Sequence, residues 1–128
     1  MDSQKLITQY EGGERDFQSV DLSGVDLYEA QLQGINLSQA NLANANLSMA
    51  NLSGSDLSHA NLTNANLSGT IFTGANLSHA NLTNTDLSWA NLSRVNLTET
   101  NLSEANMKMA ILIGTRFRQT TMPDGTKR

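Results

Sequence analysis

The residues best suited to chemistry are His59 and His79, which are the only histidines in the 128-residue chain. They are 20 residues apart, and Gln39, Glu99 and Gln119 continue the same spacing. Imidazole and carboxylate groups are metal ligands, so a fold that stacks every twentieth residue would align both histidines with Glu99. Stacked side chains diverge outward, and no third ligand lies beside both histidines. We therefore expect a histidine column on the surface and no metal site.

Other chemical signals are absent or have a simpler origin. Ten Asn-Leu-Ser/Thr triplets, the first at Asn36, match the N-glycosylation pattern, but a repeated sequence generates them automatically. The chain has no cysteine, no glycine-rich phosphate loop and no pair of carboxylates that shares a pocket. We expect no catalytic residue, no cofactor and no enzymatic activity.

The triplets belong to a repeat of five residues. From Phe17 to Met122 every fifth residue is large and apolar, and of these 22 positions 17 are Leu, three are Phe and two are Met. Apart from Arg15, the site two residues earlier is small or β-branched, and it is Ala in 11 cases. The residue just before the apolar centre is Asn in 12 repeats and Asp in five. A typical unit is Ala60-Asn61-Leu62-Thr63-Asn64.

A period of five fits neither an α-helix nor a flat strand. It indicates a short side followed by a corner, and four sides close a coil of 20 residues. The centre and the small residue then point inward, and coils stack about 4.8 Å apart through backbone hydrogen bonds. Gly34, Gly54, Gly74 and Gly114 share one corner column, where glycine permits the positive φ of a type II turn.

This pattern resembles the pentapeptide-repeat family, whose motif is Ala-(Asp/Asn)-Leu-X-X, over residues 15–122. The resemblance implies an all-β fold, a right-handed quadrilateral β-helix of about five coils. The segment Met122–Thr126 is similar to the ends of cyanobacterial members. Some repeats depart from the motif, among them Thr70–Gly74 and Ala110–Gly114, and should keep the coil with altered surfaces.

A solenoid has two open ends that need covering. Leu6, Ile7 and Tyr10 have helical spacing, and Gly12 and Gly13 follow them. We predict a short capping helix within residues 1–14, the β-helix over 15–122 and a tail over 123–128, in which Pro123 stops the ladder.

One corner column is a candidate contact surface. Met49, Trp89 and Met109 lie in it, with Tyr28 near its start, and an exposed row of apolar residues suggests a partner site. Single exposed apolar residues are nevertheless common.

Charge is distributed unevenly along the chain. Residues 1–29 carry seven acids and two bases, a net of −5, whereas residues 105–128 carry five bases and one acid, a net of +4. Between Glu29 and Asp86 the only charged residue is Asp56. We therefore predict a monomer or weak head-to-tail association, sensitive to salt.

Two functions fit this reading. The first is a structural or protein-interaction module with an unidentified protein partner. The second, implied by some members of the resembled family, is a DNA mimic that binds DNA gyrase or another type II topoisomerase. DNA mimicry needs acidic residues along much of the length of the solenoid. Because the middle of the chain is nearly uncharged, the sequence favours the structural or interaction module. No direct nucleic-acid binding and no membrane span are expected. The absence of a signal-peptide pattern favours the cytoplasm.

Overall fold

The computed structural model describes all 128 residues, and its backbone is a solenoid that repeats every 20 residues. Parallel bridges join residues 20 apart, from Asp16–Asn36 at one end to Asn101–Thr121 at the other. Because bridged residues recur every five positions, each coil has four sides. The coil length therefore agrees with the value that the period of five predicts.

The β structure consists of single-residue bridges, not of longer strands. This differs from the usual picture of an all-β protein, and the reason is local. A corner interrupts the chain every five residues, so only one residue per side can pair in the extended conformation before the chain turns. The single regular element is the α-helix Ser3–Glu11, α1.

The interior is a column of apolar centres with small residues between them. Leu62 is 0% exposed and Ala60 is 1% exposed, and 31 buried apolar residues form one continuous cluster. Alanine predominates at the small position because the solenoid is narrow and a larger side chain beside leucine would overfill it. Where threonine replaces alanine, its hydroxyl donates to a backbone carbonyl, as Thr70 Oγ1 does to Leu47 at 2.8 Å.

Every backbone N–H of a standard repeat has an acceptor. In the repeat Ala60–Asn64, the N–H groups of Asn61, Leu62 and Asn64 donate to carbonyls of neighbouring coils at 2.8–3.0 Å. The N–H of Ala60 closes the preceding corner on the carbonyl of Leu57 at 3.1 Å. The remaining N–H, on Thr63, donates to Asn61 Oδ1 at 3.1 Å.

The Asn or Asp before each centre therefore has a specific structural use. Its side-chain oxygen accepts from the one N–H that neither the ladder nor the corner can satisfy, which is an Asx turn. The contact recurs along the solenoid, for example from Ser38 to Asn36 and from Ser88 to Asp86, at 3.0 and 2.9 Å. Where Ile71 and Ile111 replace the Asn, the N–H groups of Thr73 and Ile113 have no acceptor within the protein.

The corners impose one backbone conformation on every residue type. At all 21 corner positions from Ser19 to Gln119, φ lies between 50° and 71°, and 15 of these residues are not glycine. The glycine and asparagine corners thus follow the expectation of positive φ, but Trp89, Met49 and His79 share it. Left-handed φ costs an L-residue roughly 1–2 kcal/mol, so the ladder and core must offset this strain in each coil.

The two ends of the solenoid are covered differently. At the first coil, α1 buries Leu6 completely in the core, and the Tyr10 hydroxyl donates to the Gln33 carbonyl at 2.6 Å. At the last coil the chain folds back after Pro123, so that Thr121 pairs antiparallel with Lys127. The last centres, among them Leu112 and Phe117, remain only partly buried.

Replacing Leu62 by Ala should lower the free energy of unfolding by about 2–5 kcal/mol, because the cavity lies between two coils and cannot close. Ser58→Ala is the matched control in the preceding repeat and should cost less than about 0.5 kcal/mol. Urea denaturation followed by circular dichroism measures both values. Equal costs for the two substitutions would mean that inside and outside are wrongly assigned.

Candidate functional site

The exposed apolar residues of the solenoid lie on one corner and one side. Met49, Trp89 and Met109 are 54%, 65% and 58% exposed, and Tyr28 is 54% exposed beside the corner of Glu29. These are the residues that the sequence predicts as a contact surface, and their corners lie above one another at 20-residue intervals. The structure therefore places all four along one edge of the solenoid.

Three isoleucines widen this edge. Ile71 follows the corner of Gly69 by two residues, and Ile111 and Ile113 follow the corner of Met109 by two and four. All three are exposed, Ile113 most strongly. Apart from Met1, every large hydrophobic residue that is exposed belongs to this set, which we call the apolar strip. Its members are Tyr28, Met49, Ile71, Trp89, Met109, Ile111 and Ile113.

Sequence reasoning missed the isoleucines as part of this surface. It marked Thr70–Gly74 and Ala110–Gly114 as departures from the motif with altered surfaces, and it considered Ile111 and Ile113 only as an apolar contact in head-to-tail association. The sequence does contain the signal for Ile71 and Ile111. Both occupy the Asn position of the repeat, and the side chain at this position points outward. Reading the register from Gly69 to Ile71 would have placed that side chain beside the corner column.

Gly69 makes the strip continuous. The Met49 side chain lies over the Gly69 corner, where its sulfur would collide with any Cβ added to Gly69. Because Gly69 has no side chain, Met49 can lie flat in the space between its own corner and that of Trp89. The glycine is thus part of the surface, and a larger residue there would displace Met49.

Opposite charges flank the strip along the rod. Glu29 lies beside Tyr28 near the first coils, and its carboxylate raises the pKa of the Tyr28 phenol through a hydrogen bond and through charge repulsion. Lys108 precedes Met109 at the other end and is exposed. The strip is therefore acidic at one end, basic at the other and uncharged at the residues between them.

The histidine column lies on a different edge. The rings of His59 and His79 are stacked, with centroids 4.7 Å apart and planes 1° from parallel. His79 Nε2 lies 3.6 Å from Glu99 Oε2. No three His, Cys, Asp or Glu side chains are grouped so that they could hold a metal ion.

No pocket opens on the surface or in the interior. The one helix, α1, is too short and too polar to cross a membrane. The surface features available for recognition are therefore raised edges and flat sides, of which the apolar strip is the least polar.

Comparison with known proteins gives a consistent result. A family model described as pentapeptide repeats matches residues 21–58, 50–88 and 80–119, as eight copies. The chain is similar to the crystal structure of the pentapeptide-repeat protein Rfr23 from the cyanobacterium Cyanothece, with 27% identity and a TM-score of 0.72. That alignment covers 94% of this chain and 97% of Rfr23. No curated protein sequence matches the chain.

Two further solved structures are more distant in shape. HetL from the cyanobacterium Nostoc, involved in heterocyst differentiation regulation, is 22% identical over the full length of both chains, with a TM-score of 0.42. QnrB1, a plasmid-mediated fluoroquinolone resistance protein, is 26% identical with a TM-score of 0.39, over 84% of this chain and 62% of its own. The family match and the Rfr23 similarity imply a right-handed quadrilateral β-helix.

Proposed function

The chain belongs to the pentapeptide-repeat family, and from this premise we propose that it is a non-catalytic protein-interaction module that binds its partner through the apolar strip. The observation that carries the proposal is the confinement of the exposed large apolar residues, Met1 excepted, to one edge and side. Contiguous exposed apolar surface on a protein that is otherwise polar outside is typical of a contact site.

The solenoid suits this role mechanically. Each coil is bonded to the next through its backbone, so the strip is held on a rigid frame and loses little conformational freedom when a partner binds. Trp89 and Tyr28 are residue types that dominate the energetics of protein interfaces. Trp89 is also the most exposed of the corner residues in the strip, which makes it the natural anchor.

The non-catalytic part of the proposal rests on how polar groups are used. Many Ser and Thr hydroxyls that follow the centres donate to the same Asn or Asp oxygen that caps their own N–H. Examples are Thr63 to Asn61 and Ser88 to Asp86, both at 2.6 Å. These hydroxyls are held by a structural contact, and no histidine lies on the strip to activate them.

We propose that residues 1–14 form a capping unit, residues 15–122 the β-helix and residues 123–128 a tail that turns back on the last coil. The burial of Leu6 under the first coil supports the first boundary. We also propose a cytoplasmic location, since the ten Asn-Leu-Ser/Thr triplets would be N-glycosylation acceptors in a eukaryotic secretory protein.

DNA mimicry is the alternative, which the resemblance to some pentapeptide-repeat proteins implies. Imitation of duplex DNA requires negative charge along the rod. Here the acids concentrate in residues 1–29, and the last coil carries Lys108, Arg116 and Arg118. The basic end and the uncharged middle of the solenoid disfavour binding to the DNA site of a topoisomerase, which is built to bind phosphates. The charge distribution therefore favours the interaction module.

Immobilised protein should retain a specific partner from an extract of its native cell, and the single substitution Trp89→Glu should abolish retention by placing a charge in the strip. Asn84→Glu is the matched control, because Asn84 is an exposed corner with φ of 61° on another edge. Mass spectrometry of the retained proteins, compared between the two variants, makes the measurement. Retention of the same proteins by Trp89→Glu would refute the assigned surface.

DNA gyrase provides the test against the alternative. At micromolar concentration the protein should leave ATP-dependent supercoiling unchanged, with and without a fluoroquinolone, because its middle coils offer no row of carboxylates. Agarose gels of plasmid topoisomers measure the reaction. Clear inhibition, or protection from the drug, would replace the interaction module by the DNA mimic.

A further inference from the structure

We infer that the apolar strip binds a second copy of this chain, side by side and antiparallel, in a two-fold symmetric dimer. The inference rests on the proposed function, because it names the partner of the same surface. Two independent features of the strip point to it, the symmetry of its residues and the sign of its flanking charges, and a third feature, its size, limits the affinity.

The first feature is the position of its residues about a centre. The corner column runs Glu29, Met49, Gly69, Trp89 and Met109, so Gly69 lies halfway along it. A two-fold axis at Gly69, perpendicular to the solenoid axis, makes the two copies antiparallel. It places Met49 opposite Trp89 and Glu29 opposite Met109, with Gly69 opposite its own equivalent. A symmetric interface pairs residue i with j and j with i.

At the centre of the strip the contacts that follow are chemically matched. Met49 of each copy faces Trp89 of the other, and Ile71, which lies two residues from Gly69 and so at nearly the same level, faces its own equivalent. Because the Met49 side chain of each copy covers its own Gly69 corner, the two Gly69 corners face each other across the Met49 side chains at the axis. Methionine sulfur packs favourably against aromatic rings. Because of the two-fold symmetry, the Met49–Trp89 contact occurs twice in the dimer.

The second feature is charge. In the antiparallel arrangement Lys108 of one copy faces Tyr28 and its neighbour Glu29 in the other, where an ammonium group can contact both the ring and the carboxylate. More generally, residues 1–29 with a net charge of −5 lie opposite residues 105–128 with a net charge of +4. A parallel dimer through the same strip would place acid on acid and base on base.

Head-to-tail stacking would satisfy the same charges, but it uses surfaces that fit less well. The acidic end of the solenoid is covered by α1, whose Leu6 and Tyr10 are already engaged with the first coil. Stacking would leave the apolar strip exposed to water. The antiparallel dimer satisfies the charges and covers the strip together.

The third feature is size, which limits the affinity. From Tyr28 to Ile113 the strip crosses about four coils, so its length is only about 20 Å. An interface of this length is at the small end of the range for specific complexes. We therefore expect a weak dimer, with a dissociation constant on the order of 0.1 mM, that weakens further as salt screens the flanking charges.

Sedimentation velocity from about 5 to about 500 µM at low salt tests the inference. The 13.8 kDa chain should pass from monomer to mostly dimer, without larger species. Trp89 is the only tryptophan, so its emission should shift to shorter wavelength over the same concentrations as the ring leaves water. A monomer throughout the range, or an open series of oligomers typical of head-to-tail stacking, would overturn the inference.

Two sets of variants locate the contact. Trp89→Glu should weaken the dimer at least about tenfold, whereas Asn84→Glu, with the same added charge on another edge, should not. Glu29→Lys and Lys108→Glu should each weaken it, and the double variant should restore association, since the reversed charges again face each other. A dimer that is indifferent to Trp89→Glu, or a double variant weaker than both single variants, would refute the antiparallel contact.

Failure of this inference is distinguishable from failure of the proposed function. If the protein stays monomeric but loses a retained partner on Trp89→Glu, the strip is a contact surface for a different protein and only the dimer is refuted. Circular dichroism and thermal melting of each variant check that the coil is intact, as expected because all four substituted positions are exposed and outside the core.

Discussion

The hydrogen-bond ladder between coils is the interaction on which the rest of the structure depends. Three of the five N–H groups in a standard repeat donate to adjacent coils, as those of Asn61, Leu62 and Asn64 do. This fixes the separation of the coils and the length of each side. The corner must then turn within one residue, which forces positive φ at Trp89 as it does at Gly54. The Asn before the centre accepts from the single N–H that remains.

The positions of the repeat that the ladder, the core and the Asx turn do not constrain are available for function. The two inward positions are constrained by the narrow core, and the Asn position is constrained by the Asx turn. The corner residue contributes only its backbone, so its side chain can vary without changing the coil. Trp89, Met49 and His79 all occupy corners for this reason, and the surface that we assign to a partner lies chiefly on one corner column.

The sequence predicts the frame better than the surface. The period of five is enough to place Leu62 and Ala60 inside and to align His59 with His79, since these depend only on register. It does not show that Met49 lies over Gly69, because the direction of a side chain beyond Cβ depends on what the next coil offers. The motif also does not reveal why Asn precedes each apolar centre. Its role as acceptor for the N–H of Thr63 and its equivalents appears only from the hydrogen bonds of the structure.

Amide hydrogen exchange measured by NMR tests the ladder most directly. We expect the amides of Leu62 and Asn61 to exchange only through global opening, with protection shared by the middle coils, because their N–H groups donate to adjacent coils at 2.8 and 2.9 Å. The amides of Thr73 and Ile113, which have no acceptor within the protein, should exchange far faster. Exchange of the Leu62 amide as fast as that of Thr73 would contradict a fold held together by this ladder.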